Sequence, residues 1–135
     1  DTVSKKLTAS PKVSTVTLLP SLLTPEQVTI PLLREAAVRL QSHLVLVFRI
    51  DSDIYYQSKM FSKDKVKAYS TCEAVLLDVR TGVIPFTAIV TKETIEVKAS
   101  SDFDMNETMR RAETKAVLES LNSLGDQLTR FLKTR

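Results

Sequence analysis

The 135-residue chain predicts an α+β two-layer sandwich with elements in the order β-α-β-β-β-α: a mixed four-stranded sheet with two helices on one face. Three observations carry this. Met105 to Leu132 keeps apolar residues at spacings of three and four for about seven turns, the signature of a long amphipathic helix. The stretches 44–57, 66–78 and 83–97 are rich in β-branched and aromatic residues and are divided by turn chemistry, which predicts three strands in an antiparallel meander. A shorter helical pattern over 31–41 stands between one further strand-like segment, 12–19, and the first of these three.

Residues 1–11 are polar with a single proline and read as a flexible arm, leaving 12–135 as one domain. Lys12-Val13-Ser14-Thr15-Val16-Thr17-Leu18-Leu19 is β-branched and mostly alternating, a strand ended by Pro20. Thr24-Pro25-Glu26-Gln27 is a helix-start signal, but Pro31 cannot donate an N–H and crowds the preceding turn. A short helical turn at 25–29 and a proper helix from Pro31 to about Gln41 follow, with Leu33, Ala36, Ala37 and Leu40 on one face. The first crossover, strand to helix to strand, would be right-handed and bring its two strands parallel. Leu44 to Phe48 is continuously apolar and reads as a strand buried on both faces, running on through a more polar half to Gln57. A loop rich in Ser, Lys and Asp spans 58–64. The strand at 66–78 alternates, and Asp78-Val79-Arg80-Thr81-Gly82 is a hairpin turn in which Gly82 supplies positive φ. Pro85 removes one ladder bond from the returning strand and favours an edge or bulge there. Asp104 and Glu107 form a capping box for the last helix, which at about 42 Å matches a 14-residue strand of about 46 Å.

Composition narrows the function classes. The net charge is +3, from 19 basic and 16 acidic side chains, which lacks the uncompensated basic stripe of a nucleic-acid binder. Only two glycines are present, Gly82 and Gly125, so the glycine-rich loops that cradle phosphates are excluded. One cysteine, Cys72, leaves no internal disulfide. The longest apolar runs fall far short of the roughly 20 residues a membrane span requires.

The candidates for chemistry are few. His43, the only histidine, sits between helix and strand and reads as a boundary residue. Cys72 would be a nucleophile if paired with His43, but it alternates with Ala68, Ser70, Ala74 and Leu76 as a small buried residue does. One His and one Cys do not make a metal site, and no cofactor or enzymatic activity is expected. Asp51 and Asp53 share a strand face beside Tyr55 and Tyr56; paired carboxylates can hold a cation or exchange protons, although solvation of an exposed strand explains them as well. Of the two tyrosines, one is expected to pack under the long helix and the other to face a binding surface. Lys59, Lys63, Lys65 and Lys67 form the only basic cluster, with Asp64 inside it, and read as a solvated hairpin tip. These eight residues, Asp51 to Lys67, are the expected interaction surface. The alternatives are a small-ligand cleft near Asp51, Asp53 and Tyr55, and weak nucleic-acid binding through the lysines.

The layout resembles a pattern in bacterial envelope proteins. Val16-Thr17-Leu18-Leu19-Pro20, the helix 31–41, Leu44-Val45-Leu46-Val47, the strand ending Asp78-Val79-Arg80-Thr81-Gly82 and the closing helix are similar to the CsgG-like and LpoB-like lipoproteins and the amino-terminal domain of TolB. The resemblance implies a periplasmic or outer-membrane-anchored parent protein held by a lipid. It also implies a role in binding other proteins or in self-association, with no catalytic residue and with membrane contact only through the anchor.

Overall fold

Three long strands make the sheet: β1 (Leu44–Gln57), β2 (Lys65–Asp78) and β3 (Phe86–Val97), in the order β1-β2-β3 with both pairs antiparallel. In the computed structural model, residues 2–24, 26–57, 64–98 and 105–134 are described. Helix α1 (Thr2–Thr8) precedes a 3₁₀ turn at Ser21–Leu23 and helix α2 (Ile30–Arg39), and helix α3 (Met105–Thr134) closes the chain.

Alternation in β2 decides the layers. Val66, Ala68, Ser70, Cys72, Ala74 and Leu76 are all buried and face α3, while Lys67, Glu73 and their neighbours face away. Small residues here let the helix approach closely: Ala112 and Ala116 of α3 meet Val66 and Ala68, and Leu124 meets Cys72 and Ala74. Further along, Leu128 and Leu132 surround Leu76, with Phe86 and Phe131 in ring contact at 5.2 Å. At about 45 Å the 30-residue α3 runs the length of the sheet. It passes through Gly125 without ending; Gly125 is buried, and a side chain there would collide with Lys6 of α1.

The expected four-stranded mixed sheet is overturned. Residues 12–19 form no strand; they are irregular and mostly exposed, and the sheet is three-stranded and wholly antiparallel, without a parallel crossover. Propensity alone does not make a strand, which needs a neighbour and a face to bury. In this segment apolar residues fall on both sides, Val13 and Leu19 on one and Val16 and Leu18 on the other, so no single register would bury them. Val13 instead packs onto the Leu76–Leu128–Leu132 cluster.

The two-helices-on-one-face layout is also corrected. The helix beside α3 is α1, drawn from residues expected to be an arm. Its Val3 is buried and its Leu7, one turn on, joins Leu44 and Leu46 at the Leu76 cluster. Helix α2 lies at the other side. Leu77 points away from α3 and is nonetheless buried, as are Leu33, Ala36 and Ala37 of α2. Arg34 clamps α2 there, donating from Nε to the carbonyl of Val79 (2.7 Å) and from Nη2 to that of Arg80 (2.9 Å). α2 starts at Ile30 with Thr29 as its cap, and residues 26–29 carry no helix; Pro25 and Asp104 lie outside the described residues. Past its end Gln41 holds φ 57°, the left-handed position that terminates a helix.

The hairpin turn follows its chemistry. Asp78 Oδ1 accepts from the backbone N–H of Arg80 and Thr81, Gly82 donates to the Asp78 carbonyl at 2.8 Å, and Gly82 has φ 76°. β3 begins just after Pro85.

Candidate functional site

His43 and Cys72 do not meet. The His43 carbonyl accepts from Val79 at one end of the sheet, whereas Cys72 lies six residues down β2 from Asp78, about 20 Å away. Cys72 is fully buried under α3, and that burial pushes its thiol up from its ordinary value.

Six of the eight residues of the expected surface are described, and they lie toward one end of the sheet. Asp51, Asp53 and Tyr55 lie on the face of β1 turned away from α3, opposite Thr71, Tyr69 and Lys67 of β2. Tyr55 packs edge-on against Tyr69, with ring centroids 5.6 Å apart. Tyr56 is on the α3 face but remains exposed, because α3 lies over β2 and β3 rather than over the tip of β1; its hydroxyl donates to Asp64 at 2.9 Å. Neither tyrosine packs under the helix. Lys65 and Lys67 are the first residues of β2 on the outer face, and Lys67 pairs with Glu93 across the sheet at 3.7 Å. Lys59 and Lys63 lie outside the described residues.

Charge on the outer face is therefore largely self-compensated. Arg49 bridges Asp51 and Glu73, both at 3.2 Å, and Lys67 bridges Glu93. On the α3 side Glu96 is gripped by Lys115 and by Arg111 (3.2 Å), and the lysine contact above all holds its carboxyl below the usual carboxylate range. Between these groups the outer face carries Thr71 and Thr91, hydrogen-bonded to each other at 3.0 Å, and apolar side chains that nothing covers: Ile89 is 72% exposed and Ile95 is 52% exposed.

Sequence reasoning missed that pair. Ile89 and Ile95 sit in an apolar-looking run, and only the register, which sets Ile89 opposite Glu73 and Ile95 opposite Lys67, shows that they face water. An open groove of about 810 Å³ runs along α3 on its β3 side, over Phe86, Lys92, Asn122, Asp126, Arg130 and Phe131. No residue of the expected interaction surface lines it. Among the described residues no three metal-ligating side chains gather, and no helix is long and apolar enough to cross a membrane.

No family model and no curated protein matches this chain. Among solved structures, a hypothetical protein of Chlamydia trachomatis is similar with a TM-score of 0.54 and 12% identity, over 98% of this chain and 81% of that one. A candidate lipoprotein of Caulobacter crescentus aligns with a TM-score of 0.49 and 10% identity, over 64% of this chain and 68% of that one. At such identities the likeness to the chlamydial protein is one of fold: the chain shares an α+β architecture with an uncharacterised bacterial protein.

Proposed function

We propose that this chain is a non-catalytic protein-interaction domain of the bacterial cell envelope. The observation that carries the reading is the uncovered sheet face. A three-stranded sheet roofed on one side by α3 and, among the described residues, capped on the other only at its α2 end presents Ile89, Ile95, Val97 and Tyr55 to solvent, interspersed with self-paired charges. Exposed apolar side chains spread along an open sheet surface among paired charges fit protein contact better than a small ligand, which needs enclosure. The envelope location is supported by the sequence resemblance of Val16–Pro20 and Asp78–Gly82 to the lipid-anchored CsgG-like and LpoB-like proteins.

The test is site-specific photo-crosslinking in a bacterial host, with the probe at Ile89 and, as a control, at Thr114 on the exposed side of α3. The reading expects protein adducts from position 89 and none from 114. Equal labelling at both sites, or adducts at neither, would refute it.

A further inference from the structure

We infer that β1 is a dimerisation edge at which two copies of this chain join their sheets across a two-fold axis through Ile50. The inference rests on the interaction-domain reading and names the partner as a second copy. Exposed sheet edges are normally blunted by proline, charged side chains (lysine above all), bulges or short length. The β3 edge follows that rule: it starts after Pro85 and carries Lys92. β1 is less protected. It runs 14 residues in unbroken register with β2, without proline, glycine or lysine, and its charges, Arg49, Asp51 and Asp53, are of both signs and can complement a second copy. Its other side is unpaired among the described residues.

A closed two-fold pairing of antiparallel edges sets one residue opposite itself on the axis, and the charges of β1 select which. An axis at Arg49 opposes two arginines. An axis at Asp51 opposes two aspartates, and one at Ser52 sets Asp51 against Asp53 of the other copy. With Ile50 on the axis, Arg49 faces Asp51 of the second copy, twice, and no like charges meet. Both side chains are exposed, at 71% and 67%, and the contact they make within one chain would be exchanged for two between copies. The same register sets Leu46 against Ile54 and Leu44 against Tyr56 of the second copy on the α3 side of the sheet. That side holds the apolar residues of β1 that α3 leaves open, Phe48 at 37% and Ile54 at 36% exposure. Pairing Leu44 to Tyr56 in each copy forms about a dozen backbone hydrogen bonds and a continuous six-stranded antiparallel sheet. This is an isologous contact that closes at two copies.

Charge reversal tests the register in trans. Arg49→Asp opposes aspartate to Asp51 of the other copy, twice, and Asp51→Arg opposes arginine to Arg49, twice. Mixed together, the two variants oppose only unlike charges. Sedimentation equilibrium of the wild type at about 100 µM is expected to give twice the chain mass. Each variant alone is expected to weaken association at least tenfold, and the equimolar mixture to recover the dimer, which also shows both variants to be folded. A monomeric wild type overturns the inference. So does a wild type whose β1 amides are protected from exchange while it remains a monomer, since the chain's own segment would then cover the edge. Variants that stay dimeric alone, or a mixture that stays monomeric, overturn it too. The crosslinking at Ile89 concerns the open face rather than the edge, so either result can fail without the other.

Discussion

Ser70 and Ser120 form a fully buried hydroxyl pair, 3.1 Å apart, joining the middle of β2 to α3. Its energetics can be worked from the geometry. The Ser120 hydroxyl donates its one proton to the Val117 carbonyl at 2.8 Å, so the Ser70 hydroxyl must be the donor in the inter-element bond. The two truncations are therefore unequal. Ser70→Ala leaves Ser120 with its donor still satisfied and forfeits one ordinary bond, about 0.5–1.5 kcal/mol. Ser120→Ala leaves the Ser70 proton buried without an acceptor, and an unmade buried bond costs about 1–3 kcal/mol. The double substitution removes both polar groups and should cost less than the sum, with a coupling of about 1 kcal/mol. Urea unfolding of the wild type, both single variants and the double variant, at constant m-value, measures all three quantities. If Ser70→Ala proves the costlier single change, or the two effects add, the assigned direction of the hydrogen bond is wrong.

Four further outcomes are expected. Glu96 is half-buried against Lys115 and Arg111 with its carboxyl held below the ordinary value of 4.5, so it stabilises the fold above that pH, and the contribution is lost as pH falls through the lowered value. Glu96→Gln should therefore lower stability at neutral pH by on the order of 1 kcal/mol and flatten the acid limb of the stability–pH curve below 4.5. Among the described residues Thr94 Oγ1 is buried with no hydrogen-bond partner, so Thr94→Val should raise the urea midpoint, by about 1 kcal/mol in stability. Gln41 holds a left-handed φ of 57°, and Gln41→Gly should stabilise by about 0.5–1 kcal/mol, read as a rise in melting temperature. Gly82→Ala acts in the opposite sense: it meets both the strain of φ 76° and the Arg34 guanidinium 3.0 Å from the new Cβ, and should cost about 1–2 kcal/mol while loosening α2, seen as faster amide exchange over 30–39.

The parts legible in the sequence were those whose pattern is local. β1 from Leu44 to Gln57, the Asp78–Gly82 turn and the long last helix follow from periodicity and turn chemistry within a few residues of each position. The burial of Cys72 follows in the same way from alternation with Ala68, Ser70 and Ala74. Of the expected surface, Asp51 and Asp53 were placed rightly on one face of an exposed strand, but the expectation that one of the two tyrosines packs under the long helix fails, because which strands α3 covers is not written in the strands.

The sequence by itself determined where the chain is helical or extended over most of its length, because each choice is made by neighbours three or four residues apart. Only the tertiary structure decided that Lys12–Leu19 joins no sheet among the described residues, that Thr2–Thr8 docks beside α3 while α2 crosses to the other side, and that Ile89 and Ile95 face water. These depend on competition between distant segments for a limited covered area. A seven-residue helix with two well-placed apolar side chains, Val3 and Leu7, wins a place on that area. A longer, more β-prone segment with apolar residues on both faces does not.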